Sequence, residues 1–253
     1  SAPFAINLIV HKSNDRLEED LKLVVKHKVP LIICSLGARN EVYDAIHSYG
    51  GYGIHDVINQ FFAHKAIEKG ADGLVLVASG AGGHAGNLSP FGLVQETREW
   101  FDGPIALSGA IAHGRSILAA EAMGADFAYM GSAFIATEEA RAVDEYKAMI
   151  AGHGAEDIVY TNLITGVHGN YLRPSLQAAG LDPDNLDQSD KNAMNFGSGR
   201  VKKWKDVWGS GQGIGAVKHV LPTAQLVDRL AQEYAAARMR LGTHSALVNP
   251  GWR

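Results

Sequence analysis

One cysteine in 253 residues, Cys34, excludes an internal disulfide framework. It lies in the apolar run Leu31-Ile32-Ile33-Cys34, so it reads as a buried structural thiol and not as a nucleophile. Apolar runs near the roughly twenty residues that a spanning helix needs are also lacking. The opening SAPFAINLIVHK has no basic segment ahead of its short apolar run, which argues against a signal peptide. A cytoplasmic protein with no membrane partner is expected. Positive charge is not in excess: 23 Lys and Arg against 27 Asp and Glu leave a net charge of -4, giving no electrostatic case for nucleic acid. The histidines at 55, 64, 84, 113, 153 and 168 show no i, i+4 pairing with a carboxylate partner suited to zinc, and no metal is expected. A Walker lysine, the G-x-G-x-x-G spacing of a dinucleotide fold and a serine or cysteine nucleophile constellation are all absent.

What is present is strand–helix alternation in a chain that is 46% hydrophobic. Strands are predicted over Phe4–Val10, Leu31–Ser35, Tyr52–Val57, Leu74–Val77, Pro104–Ser108 and Phe127–Met130. Helices are predicted over Asp15–His27, Asn40–Ser48, Gln60–Lys69, Pro90–Trp100 and Arg115–Met123, the first with Asp15 and Glu18 as a capping box. Gly70-Ala71-Asp72 recurs as Gly124-Ala125-Asp126 where a helix stops and a strand begins. Two strand–helix units separate the two copies, close to the roughly 30 residues per unit of a (β/α)8 barrel. Strict alternation implies a parallel sheet with helices outside it, in about six units and not eight. Beyond Ile150 the alternation stops. Gly180–Arg200 reads as a surface loop or lid. Val201, Trp204 and Trp208 share one face of a packed helix, with Lys202, Lys203 and Lys205 solvated and not forming a nucleic-acid patch. Pro222-Thr223 opens a helix with Leu226, Val227, Leu230 and Tyr234 inward, and Gly242–Arg253 reads as an irregular tail.

The chemistry concentrates at strand ends. Ala71–Gly86, ADGLVLVASGAGGHAG, runs from a buried strand into a glycine-rich turn that places His84 at the strand's carboxyl end, where α/β proteins keep their sites. Ser108-Gly109-Ala110 and Gly131-Ser132 end the next two strands, and loop amides backed by a helix amino terminus suit an anion there. Asp56 reads as a strand-end hydrogen-bonder and Glu121 as a helix-surface residue.

ADGLVLVASGAGGHAG, IALSGAIAHGRSILAAEAMGADFAYMGSAFIATEEA and SGQGIGAV together resemble the nitronate monooxygenase family, along nearly the whole chain. The resemblance implies a TIM barrel with an added segment that binds FMN non-covalently. Barrel units would occupy residues 1–150, and a lid or added segment with a closing helix residues 151–253. His84 matches the histidine facing flavin and substrate. Asn7 matches an asparagine near the isoalloxazine ring, and Gly82 and Gly83 the turn before the histidine. Ser108, Gly109, Ala110, Gly131 and Ser132 match the phosphate-binding loops. Gln212 and Gly213 match a carboxyl-terminal motif. Three departures stand out. The family's first strand, with Ala-Pro-Met, has no counterpart, so the barrel is expected to lack its first two units. The strands at Phe4 and Phe127 would then be unpaired edges, completed by a separate segment or chain. Asp56 stands where some members carry lysine, and Ala110 replaces a common glycine, a tolerable change if its φ is negative. The implied activity is oxidation of alkyl nitronates or nitroalkanes with O2 to a carbonyl compound and nitrite. The alternative is FMN-dependent NAD(P)H reduction of a quinone or enoyl thioester. His84, with an ordinary pKa near 6.5, would act either as a base or, protonated, as a partner for the nitronate anion.

Overall fold

The computed structural model describes residues 3–187 and 207–243. Its elements begin with β1 (Ala5–Ile9), α1 (Leu17–Lys26), β2 (Leu31–Ser35), α2 (Asn40–His47), β3 (Tyr52–Val57) and α3 (Gln60–Glu68). Then come β4 (Gly73–Val77), the short β5 (Gly83–His84), α4 (Pro90–Arg98), β6 (Ile105–Ser108), α5 (Gly114–Met123), β7 (Phe127–Tyr129) and α6 (Ser132–Ile135). The rest comprises α7 (Asp144–Gly152), β8 (Ile158–Thr161), β9 (Gly169–Leu172), α8 (Arg173–Ala178) and the long α9 (Thr223–Thr243).

Six parallel strands pair in the order β1-β2-β3-β4-β6-β7. Alternation along them sorts side chains between two faces. Leu8, Ile32, Cys34, Leu76 and Leu107 join Val24, Ile46, Ala63 and Leu93 of the helices in the main core. Ile33, Val75 and Ala106 pack together on the other face, which is the barrel interior. One helix layer outside an in-order parallel sheet is the architecture of a TIM barrel, here as an open, six-stranded part of one. The terminal strands are the expected edges: Phe4 is 59% exposed beside β1, and Phe127 is 63% exposed on β7.

The repeated Gly-Ala-Asp has a hydrogen-bonding reason. Asp72 Oδ2 accepts the Gly53 amide at 2.7 Å, and Asp126 Oδ2 accepts the Ile105 amide at 2.8 Å, each pinning the start of the neighbouring strand. Cys34 is fully buried, and burial pushes its thiol up to about 12, as a structural thiol requires.

Two local expectations fail. The Asp15–Glu18 capping box does not form: α1 starts at Leu17 with Arg16 at its N-cap and no side-chain cap, and Asn14 Oδ1 takes the Arg16 amide instead. On α9, Leu226 and Leu230 are buried but Val227 is 49% exposed, because the inward stripe is narrower than its apolar residues allow. Beyond Ile150, a second sheet that the alternation did not foresee pairs β5, β9 and β8 antiparallel. It packs on the barrel through a shared core in which Ala112 and Ala133 meet Ile150, Leu172, Ile214 and Leu226. Most of the expected lid (from residue 188), most of the Val201–Trp208 helix and the tail after Thr243 lie outside the described residues. Trp208 is described, and it lies outside any helix.

Candidate functional site

The segment after β4 is held by backbone contacts made far away in sequence. Gly80 O accepts both the Ala110 amide at 3.1 Å and the Gln212 amide at 2.9 Å. A Cβ on Gly82 would lie 2.7 Å from Gly211 N, and one on Gly213 would lie 2.7 Å from Ala110 O, so these chains touch only because side chains are absent. The Gln212-Gly213 motif is thus a clamp on the glycine loops. Gly83 and His84 are not a turn. They form β5, paired with Asn170 and Gly169 of β9, and Asn170 Nδ2 donates to Ala81 O at 2.6 Å.

Gly82, Gly83, Ser108, Gly131 and Ser132, all expected from the sequence, line one cleft of about 360 Å³ together with Tyr129. Its other wall is aromatic: Tyr146 stacks on Trp208 with ring centroids 5.0 Å apart, and the Tyr146 hydroxyl donates to Gly209 O. Neither Tyr146 nor Trp208 was legible as a site residue. Their stacking joins α7 to a distant segment, and no local spacing announces it. Nothing lies within 4 Å of where a side chain would begin on Gly83 or Gly131, so the glycine wall is open to a flat ligand. Ser132 Oγ accepts the Gly211 amide at 2.9 Å and keeps its own O–H as a donor. Loop amides, two serine hydroxyls and an aromatic wall fit a planar group with an anionic tail, and the volume is in the range of small-ligand sites. The residues present therefore fit a flavin mononucleotide.

Two details of the anion site differ from expectation. The amino terminus of α5 is not available to a phosphate: its Gly114 amide already donates to Glu233 Oε2 at 2.9 Å, and the Arg115 amide to His113 Nδ1 at 3.0 Å. An anion here must rest on loop amides and hydroxyls. Ala110 has φ +53°, not the negative value that would make it an easy replacement for glycine. Gly109 and Ala110 serve the packing of the glycine loops and do not line the cleft.

His84 is hydrogen-bonded to the added segment. Its Nε2 lies 2.8 Å from Thr165 Oγ1, and Thr165 Oγ1 also donates to Val167 O at 3.1 Å, which makes His84 Nε2–H the donor. Burial lowers the imidazole pKa to about 4, so the ring is neutral at neutral pH. The ring alone thus leans toward the neutral of the two expected roles.

Asn7 lies on the other side of the barrel mouth, in a chain of hydrogen bonds over the ends of β1, β2 and β3. Its Nδ2 donates to Ser35 Oγ at 2.7 Å and to Ile33 O at 3.1 Å, and Ser35 Oγ donates to Asp56 Oδ2 at 2.5 Å. The Leu36 amide also donates to Asp56, and Leu36 has φ +62°. Burial outweighs these donors and pushes the Asp56 carboxyl up to about 6. Asp56 is the strand-end hydrogen-bonder that was expected, whereas its partner Ser35 was missed. Its neighbour His55 faces the helix layer instead, 2.6 Å from the Tyr43 hydroxyl, as a satisfied core histidine. Glu121 accepts the Tyr234 hydroxyl on the α5 surface.

Among the described residues no cluster of histidine, cysteine and acidic side chains could hold a metal ion, and no helix is long and apolar enough to cross a membrane. The family model described as nitronate monooxygenase matches residues 2–233. A probable nitronate monooxygenase from Staphylococcus haemolyticus is 25% identical over 90% of this chain and 70% of its own length. An octahydroindene-carboxyl-CoA dehydrogenase from Rhodococcus jostii is 24% identical over 80% of this chain, which spans only 58% of that relative. The crystal structure of a nitroalkane oxidase from Streptomyces ansochromogenes superposes with a TM-score of 0.79 at 23% identity, covering 94% of this chain and 82% of that one.

Proposed function

Since the chain belongs to the nitronate monooxygenase family, we propose that it is an FMN-dependent oxidoreductase that converts alkyl nitronates and O2 to a carbonyl compound and nitrite. The observation that carries this reading is the open glycine cleft, where Gly83 and Gly131 leave room beside Ser108 and Ser132. In this reading Ser108, Gly131 and Ser132 would hold the FMN phosphate, backed by the Gly109–Ala110 loop, and Gly82, Gly83 and Asn7 would hold its ring system. Bound there, FMN supplies the centre that accepts the substrate's electrons and returns them to O2. The protein's part is to orient and to exclude water. Neutral His84, its Nε2–H given to Thr165, brings no charge to the site, so it borders the nitronate without trapping it as an ion pair. The segment beyond residue 150 serves this site by carrying Thr165 and β9 to His84.

The test is a visible spectrum of the protein with FMN, followed by anaerobic addition of propyl nitronate and, separately, NADPH. Bleaching of the flavin by nitronate alone is the expected result. Bleaching by the nicotinamide alone would replace this reading with the reductase alternative, which the CoA-ester dehydrogenase relative favours. His84→Asn should cost turnover by about a hundredfold while FMN stays bound. Unchanged turnover would remove His84 from the site.

A further inference from the structure

A nitronate is the conjugate base of a nitroalkane, so any use of the neutral compound needs a group that takes the carbon-bound proton. His84 is poorly suited, because burial lowers its pKa to about 4 and its Nε2 is held by Thr165. Asp56 differs in every respect. It alternates on β3 with His55 and Val57, both of which are buried in the sheet, and it shares the interior face with Ser35 of the neighbouring strand. Ser35 and the Leu36 amide orient its carboxylate, and Leu36 takes a left-handed backbone conformation to do so, the kind of local strain that collects at functional sites. Asp56 is half-buried on that interior face, and Tyr129, which lines the glycine cleft, lies within the field of its charge.

We propose that Asp56 is the base that removes the proton from the nitro-bearing carbon of a neutral nitroalkane, so that this site generates its own nitronate. The inference rests on the nitronate reading above and specifies its substrate as the neutral nitro compound as well. In the step, the C–H bond breaks, its electron pair moves into the nitro group, and an O–H bond forms on Asp56. The product pair is the nitronate and a protonated carboxyl, which later releases its proton to solvent. No electron leaves the substrate, so no oxidant takes part. Burial without a compensating cation makes the carboxylate more basic, as base catalysis near neutral pH requires. Tyr129 of β7, Tyr43 of α2 and Cys34 of β2 lie within its field, all with pKa values raised by burial, and His55 is held neutral. All four keep one charge state between about pH 5 and 8, so none of them titrates in that window, and a titration lost in Asp56→Asn while FMN stays bound belongs to Asp56.

The test is solvent exchange. Nitroethane is incubated in D2O with the protein and FMN, oxygen excluded, and the signal of its α-protons is followed by proton NMR. The wild-type chain should exchange that signal at least about tenfold faster than buffer, and the gain should fall away as pH drops through about 6. Asp56→Asn, with a thermal transition that shows it folded, should lose about tenfold or more of the gain. A variant rate within about twofold of wild type overturns the proposal. So does a wild-type gain that is flat from about pH 5 to 8, a measurement that needs no variant to fold. Exchange precedes oxidation, which separates the two readings. Exchange without oxidation of preformed nitronate sinks the oxidase reading, and oxidation of nitronate without exchange sinks this one.

Discussion

The ends of β1, β2 and β3 and the ends of β4, β6 and β7 open on the same barrel mouth but are held by opposite means. On the β4–β6–β7 side, glycine loops lie against one another and against Gly211 and Gly213, with amides and carbonyls in contact and no ionisable group in the clamp. On the β1–β3 side, side chains form a chain from Asn7 through Ser35 to Asp56, ending on a carboxylate whose charge is costly. The first region sets shape and has no slack for an added methyl. The second sets proton affinity and tolerates a change of atom type better than a change of charge. Lesions on the two sides should therefore report in different measurements: stability and ligand binding for the glycines, pH dependence for the polar chain.

The largest expected effect is at Gly82. Gly82→Val drives side-chain carbons into Gly211 N and Ser210 C and should cost about 3 kcal/mol, read from a denaturant midpoint. Its control is Gly131→Ala, which has φ -121° and open space: stability within about 0.5 kcal/mol of wild type, but FMN binding weakened at least about tenfold by fluorescence titration. Equal stability losses at the two glycines would dissolve the distinction between clamp and ligand wall. Next is Asp56→Asn. A folded carboxyl pKa raised from 3.8 to about 6 contributes stability that is full below pH about 4 and is lost as pH rises through about 6. The asparagine variant has no such loss, so it should gain about 2 kcal/mol on wild type between pH 4 and 8, and a pH-independent difference would refute the assignment. Thr165→Val should lower nitronate turnover about tenfold and stability by about 1 kcal/mol, since His84 Nε2 loses its acceptor; unaltered turnover would detach the added segment from the chemistry. The smallest is Ala110→Gly, which relieves a left-handed alanine and should raise stability by about 0.5 kcal/mol.

Periodicity carried the barrel half. The predicted bounds of β2 and β3 coincide with those observed, because both are short, apolar and punctuated by proline, glycine or a polar turn. The Asp15–Glu18 pair misled because a capping signature depends on where the first helical turn closes, and Asn14 took the amide first. β8 and β9 were illegible for a different reason: IVYT is short, GNYL opens on two poor strand formers, and the strand that β9 pairs with besides β8 is the distant β5. The glycines and serines of the cleft were legible through family resemblance and through their positions at strand ends. Ser35, Tyr146 and Trp208 were not, since each acquires its role from a contact across the fold. The sign of φ at Ala110 was likewise out of reach, because a preceding glycine accommodates either turn.

The two-residue strand β5 has a consequence for how the chain comes into being. Gly83 and His84 pair only with residues roughly eighty-five positions later, whereas each barrel strand pairs with one about twenty to thirty positions away. During synthesis at about 5–20 residues per second, the sheet and its helices can assemble for several seconds before Asn170 leaves the ribosome. Throughout that interval the scaffold exists while His84 is unplaced, and its hydrogen bond to Thr165 cannot yet form. The surroundings of His84 are thus among the last parts of the nascent chain to mature, and truncation between about residues 130 and 164 would keep all six barrel strands while removing both β9 and Thr165 from His84.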